Sequence, residues 1–158
     1  MELNIRDAVK SDMQAVHTLI TELAVFEKEP DAVQVTVIDL ERDGFRENPL
    51  FHCFVAEIKN EIVGIALVYP RYSTWQGPYV HLEDLIVTES MRGKGVGSAL
   101  LEQVVRYGKE KGVRRIGWEV LDWNEPAIKF YEERGAKVMR DWDVVQLNQE
   151  GMEKFLKE

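Results

Sequence analysis

Cysteine is almost absent from this sequence, because Cys53 is the one cysteine among 158 residues. A single cysteine excludes an internal disulfide framework and any zinc site built from several cysteines. No apolar run reaches the roughly 18 residues of a membrane span, and the first residues lack a basic stretch followed by an apolar one. These absences predict a cytoplasmic protein with no membrane partner.

Positive charge is also scarce, since 20 Lys and Arg face 28 Asp and Glu and leave a net charge of -8. Nucleic-acid-binding proteins usually carry a basic surface, so the balance argues against a nucleic-acid partner. It favours small cations as ligands and disfavours anionic lipid. His17, His52 and His81 have no metal-ligand spacing, so we predict no metal site.

Linkers are missing as well: the sequence contains no repeat, no low-complexity tract and no Ser/Gly-rich stretch. Its length suits one domain and allows a substantial core. We therefore predict a single domain over residues 1–158.

Apolar periodicity predicts the element order β-α-α-β-β-β-α-β-α-β, an α/β fold whose mixed sheet has helices on both faces. Ser11 and Gln14 form a capping-box pattern for a first helix, and Thr36 with Asp39 repeats it for a second. We also expect a charged C-terminal helix that covers a sheet edge. The predicted helices run to about Phe26, from Thr36 to about Gly44, over 97–111 and over 124–134; the predicted strands are 3–7, 51–58, 62–70, 79–87, 114–120 and 137–147.

A glycine-rich turn, residues 92–98 (the glycine loop), lies between a predicted strand and a predicted helix. Glycines allow positive φ angles, so successive N–H groups can converge on an anion beside the positive end of a helix. The P-loop and dinucleotide-binding patterns need other glycine spacings. The glycine loop is therefore either a phosphate site of another kind or a plain turn.

The glycine loop resembles a known family. Arg92-x-x-Gly95-x-Gly97 resembles the acetyl-CoA pyrophosphate loop of the GNAT superfamily of N-acetyltransferases, and Asn124-x-x-Ala127-x-x-x-Tyr131 resembles a helix of the same superfamily. The resemblance implies the GNAT fold, with a central, mostly antiparallel sheet between helices, and acetyl-CoA as the acyl donor.

Other segments resemble the spermidine/spermine acetyltransferase family within that superfamily. They are 43–45 (DGF), 51–57 (FHCFVAE) and 81–84 (HLED). Segments 72–75 (YSTW) and 120–124 (VLDWN) are more similar to its thialysine-acetylating branch, whereas Glu125-Pro126 is more similar to the polyamine branch. The resemblance implies a small diamine-like acceptor and a homodimer, and it leaves the choice between thialysine and polyamines open.

The resemblance also implies a set of cofactor-binding residues. Backbone groups of one strand would pair with the pantetheine arm, and one of their N–H groups could stabilise the oxyanion. The glycine loop would hold the pyrophosphate, and the Asn-x-x-Ala pattern would contact the cofactor arm. These residues are Leu85, Ile86, Val87, Arg92, Gly93, Lys94, Gly95, Val96, Gly97, Ser98, Asn124 and Ala127.

Two residues carry the predicted acid–base chemistry. Tyr131 lies seven residues after Asn124, so both share a helix face, and a phenol can protonate a departing thiolate. The acceptor ammonium must lose a proton before it attacks, and Glu83 is the predicted base, directly or through water. Strand alternation predicts that Glu83 and Asp84 lie on opposite faces of the sheet. Tyr131 as an ordinary core residue is the competing interpretation.

Further residues are predicted to contact the acceptor amine. By resemblance, Glu27 holds a distal cation of the substrate, Asp84 is a second candidate beside Glu83, and Trp118 or Glu119 lines the site. Trp75 either walls the amine channel through cation–π contact or packs at a subunit interface.

Together these features predict an acetyl-CoA-dependent N-acetyltransferase that uses direct transfer in a ternary complex, because no nucleophile suits a covalent intermediate. Cys53 lies in an apolar strand and is interpreted as core packing. A peptide or protein acceptor is the alternative activity, and a non-catalytic acyl-CoA-binding module is the alternative of another class.

Overall fold

The computed structural model describes residues 2–157, which divide into two compact units, one up to Glu119 and one from Val120 onward. The first unit contains all five strands and three helices, and the second contains two helices. In chain order the elements are β1 (Leu3–Asp7), α1 (Met13–Phe26), α2 (Val37–Gly44), β2 (His52–Ile58), β3 (Glu61–Ser73), β4 (Gly77–Val87), α3 (Val96–Lys111), β5 (Ile116–Gly117), α4 (Glu125–Glu132) and α5 (Gln149–Lys157).

The sheet has the strand order β1-β2-β3-β4-β5. Its first three pairings are antiparallel, and β5 pairs with β4 in parallel. The predicted hairpin is confirmed: Lys59 and Asn60 adopt positive φ and connect β2 to β3. A two-residue turn of this kind matches the twist of the flanking strands. The predicted mixed, mostly antiparallel sheet is thus confirmed.

Helices cover both faces of the sheet, as the sequence predicts. On one face, Val16 and Leu19 of α1 share a buried core with Val55 and Ile65 of the sheet. On the other face, a Cβ placed on Gly64 would meet Leu100 of α3 at 3.0 Å. Because neighbouring strand residues point to opposite faces, Gly64 and Ile65 fix α3 and α1 on opposite sides.

The helix starts follow one prediction and contradict another. Thr36 Oγ1 accepts a hydrogen bond from the Asp39 N–H (3.1 Å), and the Asp39 carboxylate accepts one from the Thr36 N–H (2.9 Å), which confirms the capping box. The box predicted at Ser11 is wrong, because a 3₁₀ turn over Lys10–Asp12 precedes α1. There the carboxylate of Asp12 accepts from the Val9 N–H at 2.7 Å.

Two predicted strands differ in the structure. The strand predicted over 114–120 shrinks to Ile116–Gly117, and no strand forms over 137–147 among the described residues. A strand persists only where a neighbour accepts its hydrogen bonds, and none of residues 2–157 forms a ladder with this segment. Its large apolar side chains stay exposed: Met139, Trp142, Val144, Val145 and Leu147.

The second unit otherwise keeps the predicted helices. α4 lies within the predicted range, and Gly135, at φ +91°, follows it in the left-handed conformation. The predicted C-terminal helix is α5, whose side chains are almost all exposed. Whether α5 covers a sheet edge stays a prediction.

Candidate active site

A β-bulge in β4 positions the two adjacent carboxylates. Leu67 of β3 pairs with Asp84 while its neighbour Val68 pairs with Leu82, so Glu83 is an extra residue in β4. Asp84 therefore lies on the face of Leu67, which packs beneath α1. The side chain of Glu83 reaches that same face, where it meets Tyr69 two residues along β3 from Leu67.

The prediction that Glu83 and Asp84 lie on opposite faces is thus wrong. Simple alternation holds only for an unbroken ladder, and here Glu83 is itself the extra residue of the bulge. As a result the strand presents both side chains to one side of the sheet. Glu83 is exposed, and Asp84 is half-buried.

Glu27, Glu83 and Asp84 form a carboxylate cluster within the first unit. Burial first, and the charges of Glu83 and Glu27 second, together raise the pKa of Asp84 to about 7. Burial also raises the pKa of Glu27, which immediately follows α1. Adjacent carboxylates in a partly dry site resist ionisation together, so the cluster favours a bound proton or a bound cation.

Two side chains that the sequence analysis did not assign to the site lie against Glu83. Tyr69 Oη donates a hydrogen bond to Glu83 Oε1 at 3.0 Å, and burial with this bond raises the pKa of Tyr69 to about 12. The buried His81 ring packs against the Tyr69 ring, with centroids 5.1 Å apart. His81 Nε2 lies 3.7 Å from Glu83 Oε1.

Arg71 fixes the tautomer of the His81 ring. Its Nη1 lies 3.1 Å from His81 Nδ1, and because a guanidinium can only donate, Nδ1 accepts and Nε2 carries the hydrogen that faces Glu83. Burial first, and the charge of Arg71 second, lower the pKa of His81. Tyr69 and Arg71 lie two residues apart on β3, and their contacts with His81 depend on the register of β3 against β4, which the sequence does not reveal.

The other edge of β4 is open beyond its start. Within residues 2–157, β5 pairs with β4 only at Val80 and His81, so the later part of β4 has β3 as its single strand neighbour. Thr88 N donates to Val63 O at 2.9 Å, so alternation directs the backbone groups of Ile86 toward β3. Those of Leu85 and Val87 point to the open edge.

The glycine loop has the conformation that its sequence predicts. Gly93 and Gly95 have φ of +77° and +85°, and a Cβ on either would have no heavy atom within 4 Å. Gly95 caps α3, whose first N–H groups have no acceptor within the helix. Lys94 is exposed beside them. The loop therefore offers backbone donors, a helix N-terminus and space to one anion.

Arg92, at the start of the glycine loop, is engaged in contacts of its own. Its Nε donates to Val87 O at 3.0 Å, its guanidinium lies 4.0 Å from the Glu22 carboxylate, and it covers the Phe26 ring at 5.3 Å. The side chain predicted to bind pyrophosphate thus ties the loop to β4 and α1.

The hairpin between β3 and β4 carries Trp75 at its tip. The two strands extend to Ser73 and from Gly77, so only 74–76 form the turn. Ser73 Oγ accepts from the N–H groups of Trp75 and Gln76, each at 3.1 Å, and Trp75 is 84% exposed. Trp118, half-buried, and Glu119, exposed, follow the end of β5.

The second unit contains the predicted acid. Asn124 caps α4, since its Oδ1 accepts from the Ala127 N–H at 3.4 Å. Tyr131 lies near the end of α4, half-buried, with its ring 5.5 Å from that of Phe130 in a T-shaped contact. The two-turn spacing of Asn124 and Tyr131 on one helix is as predicted, and their catalytic roles stay predictions.

Other features bear on the predicted absences. Cys53 is buried, and burial raises the pKa of its thiol to about 12, which fits a core residue. Among the residues that the structure describes, no three His, Cys, Asp or Glu side chains are grouped as metal ligands would be. In the same part of the chain, no helix is long and apolar enough to cross a membrane.

Comparison with known proteins adds the family. The model of the acetyltransferase (GNAT) family matches residues 13–136. Thialysine N-epsilon-acetyltransferase of Bos taurus is 36% identical over 159 residues, 94% of each chain. Spermidine/spermine N(1)-acetyltransferase-like protein 1 of Homo sapiens is 34% identical over 156 residues, which cover 92% of this chain and 22% of that one.

A solved structure agrees with the fold. AAC(6')-Iy, in complex with the bisubstrate analogue CoA-S-monomethyl-acetylneamine, superposes with a TM-score of 0.77 at 20% identity, over 92% of this chain and 98% of the other. The family match covers most of the chain, and strands β2 to β5, the glycine loop and α3 lie within it. The chain therefore belongs to the acetyltransferase (GNAT) family and is an N-acetyltransferase.

Proposed function

We propose that this enzyme transfers the acetyl group of acetyl-CoA to a primary amine of a small, diamine-like acceptor. The observation that carries the proposal is the cluster of Glu27, Glu83 and Asp84. Three carboxylates, one with a pKa raised to about 7, form a site that a cationic amine would neutralise. The net charge of -8 favours the approach of cations.

The donor would bind along the open edge of β4 and at the glycine loop. Leu85 and Val87 present backbone groups there. Because the carbonyl of Val87 already accepts a hydrogen bond from Arg92, the N–H of Val87 is the group that pantetheine would use. The N–H groups of residues 93–98 and the positive end of α3 suit the pyrophosphate. A relative in fold binds a CoA-containing analogue, which supports this assignment.

Direct transfer accounts for the chemistry without a covalent enzyme intermediate. Glu83 takes a proton from the acceptor ammonium, directly or through water, and the amine nitrogen then bonds to the thioester carbon. The carbon–sulfur bond breaks, and the departing thiolate takes a proton from Tyr131. The nitrogen loses its second proton as the amide forms, and that proton restores the phenol of Tyr131. A backbone N–H of β4 stabilises the oxyanion. Tyr69 and His81 hold Glu83 in place through the contacts described above.

Thialysine is the acceptor that the comparisons favour. The Bos taurus relative covers nearly the whole chain and is named for thialysine, whereas the relative named for spermidine and spermine is less identical. In the hairpin, Ser73 uses its hydroxyl to close the turn and adds no charge for a polyamine. Glu27 would hold the second ammonium of the acceptor.

An acceptor panel tests this proposal. Thiol release from acetyl-CoA is measured with thialysine, lysine, spermidine, spermine, putrescine and a basic peptide. We expect the highest kcat/KM with thialysine. A polyamine preference would correct the acceptor, equal use of the peptide would indicate a protein substrate, and no turnover with any amine would contradict the proposal.

The acid role of Tyr131 is tested separately. Tyr131→Phe removes the phenol and should lower kcat by about a hundredfold or more, the usual contribution of a positioned acid. Tyr107→Phe is the matched control, because Tyr107 lies on α3 with its ring stacked on His52. Undiminished turnover of Tyr131→Phe would remove Tyr131 from the mechanism.

We also propose a homodimer formed through residues 137–147. This segment exposes five large apolar side chains and finds no strand partner among residues 2–157. A second copy would supply both the ladder and the cover. Light scattering should give twice the mass of the 18.3 kDa chain, and Val145→Lys should shift it toward one chain. A monomeric wild type would contradict this.

A further inference from the structure

Hydrogen bonds and an ion pair that the proposed reaction does not use join α1 to the segment that leads into the glycine loop. Glu22 of α1 accepts hydrogen bonds from Thr88 Oγ1, at 3.1 and 3.3 Å, and from the Glu89 N–H, at 2.9 Å. Its carboxylate also lies 4.0 Å from the guanidinium of Arg92. The Glu22 side chain thus contacts three residues of the segment 88–92, which lies 66 or more positions after it in the sequence.

Arg92 extends these contacts in two directions. Its Nε bonds to Val87 O, the last residue of β4, and its guanidinium covers Phe26, one turn after Glu22 on α1. The 3₁₀ turn over Glu89–Met91 lies between these points. The segment that joins β4 to the glycine loop is therefore fixed at both ends. At each end, a side chain of α1 makes the contact.

We propose that Glu22 is a positioning residue for the glycine loop: it fixes residues 88–92 against α1 so that the N–H groups of 93–98 converge on the pyrophosphate of CoA. This inference rests on the proposed function. Gly93 and Gly95 give the loop little stiffness of their own, because glycine has the widest choice of backbone conformations. Affinity for an anion then depends on how well the preceding segment is held, because pre-organisation reduces the entropy lost on binding.

Local stabilisation alone would be the simpler role for Glu22. In that case its loss would lower the stability of the fold and leave the affinity of the folded enzyme for CoA unchanged. The positioning role predicts instead a loss of CoA affinity in an enzyme that still folds. Glu22 is one-third exposed, and its partners all lie in residues 88–92, which lead into the part of the loop that would bind the anion. The two roles are distinguished by the dissociation constant of CoA and by whether the substitution changes KM or kcat.

The test measures CoA binding by titration calorimetry with Glu22→Ala and the wild type. Glu102→Ala is the matched control, because Glu102 is an exposed carboxylate paired with Arg106 on α3, at 2.6 Å, away from the loop. We expect Glu22→Ala to weaken CoA binding about tenfold, the usual size for charge-assisted hydrogen bonds, and Glu102→Ala to leave it unchanged. Thr88→Val, which removes one of the three contacts, should give a smaller loss in the same direction.

Steady-state kinetics complete the test. KM for acetyl-CoA should rise with Glu22→Ala in step with the dissociation constant, while kcat at saturating donor stays within about twofold. Equal CoA affinity of wild type, Glu22→Ala and Thr88→Val would overturn the inference alone. A lower urea midpoint with unchanged KM would also overturn it. Absence of CoA binding by the wild type would overturn the proposed function itself.

Discussion

Because the folded state holds on to the proton of Asp84, the protein should become less stable as the pH rises toward neutrality. Burial, with Glu83 and Glu27 nearby, raises its pKa from 3.8 to about 7. Between these two values the folded state keeps the proton that the unfolded state has released, so each pH unit removes about 1.4 kcal/mol of stability. From about pH 5 to about pH 7 the loss is about 2 kcal/mol, and it levels off at about 3 kcal/mol once the pH is well above the folded-state pKa.

Asp84→Asn removes this titration and keeps the side-chain shape. Urea denaturation at about pH 5 and about pH 8.5 gives the free energy of unfolding of both proteins. Any packing cost of the amide is the same at both pH values, so the comparison isolates the ionisation. We expect the wild type to lose about 3 kcal/mol more than the variant between the two conditions. Equal losses would refute the raised pKa of Asp84.

Asp12→Asn is the control of opposite sign. Hydrogen bonds from Arg6 and from the Val9 backbone lower the pKa of Asp12, so its contribution is present above the ordinary pKa and disappears as the pH falls through the folded-state value. Asp12→Asn should therefore destabilise the protein at neutral pH and have a smaller effect in acid. Opposite pH trends for the same substitution at two aspartates exclude a general effect of Asp-to-Asn replacement.

Two further predictions concern packing and reactivity. Gly64→Ala should lower the free energy of unfolding by about 1–3 kcal/mol in urea denaturation, because its methyl would lie 2.9 Å from Ile86 O. Gly97→Ala is the control and should not lower it, because there the methyl would lie 3.7 Å from the Val87 side chain. Cys53 should resist alkylation at neutral pH until urea unfolds the chain, because burial raises its pKa to about 12. Mass spectrometry would detect the label, and rapid native labelling would contradict the buried position.

The sequence predicted the features that local patterns encode. Helix α2 begins at Thr36 because its capping box is a contact between residues three apart, and the glycine loop has the positive φ angles that its spacing requires. Strand 137–147 was predicted from the local apolar pattern. A strand also needs a partner, which a local pattern does not reveal, and the described residues provide none.

The candidate site was predictable in composition and not in geometry. Glu83 and Asp84 were identified, but the bulge that turns both to one face depends on how β3 and β4 pair, which alternation within one strand cannot show. Arg71 and Glu22 were missed for the same reason. Arg71 meets His81 across the sheet, and Glu22 meets Thr88 over a separation of 66 residues.

The carboxylate cluster is where local stability and the proposed activity conflict. A leucine in place of Asp84 would avoid the cost of charging a buried acid, yet the chain keeps that acid beside Glu83 and Glu27. Arg6, by contrast, forms ion pairs with Asp12 and Glu57 at 2.8 and 3.0 Å. The same unit therefore pairs these acids with a cation at a position outside the candidate site. Natural sequences break such rules chiefly at functional sites. The raised pKa of Asp84 beside Glu83 and Glu27 therefore agrees with the proposed function, in which a diamine-like acceptor brings positive charge to this cluster.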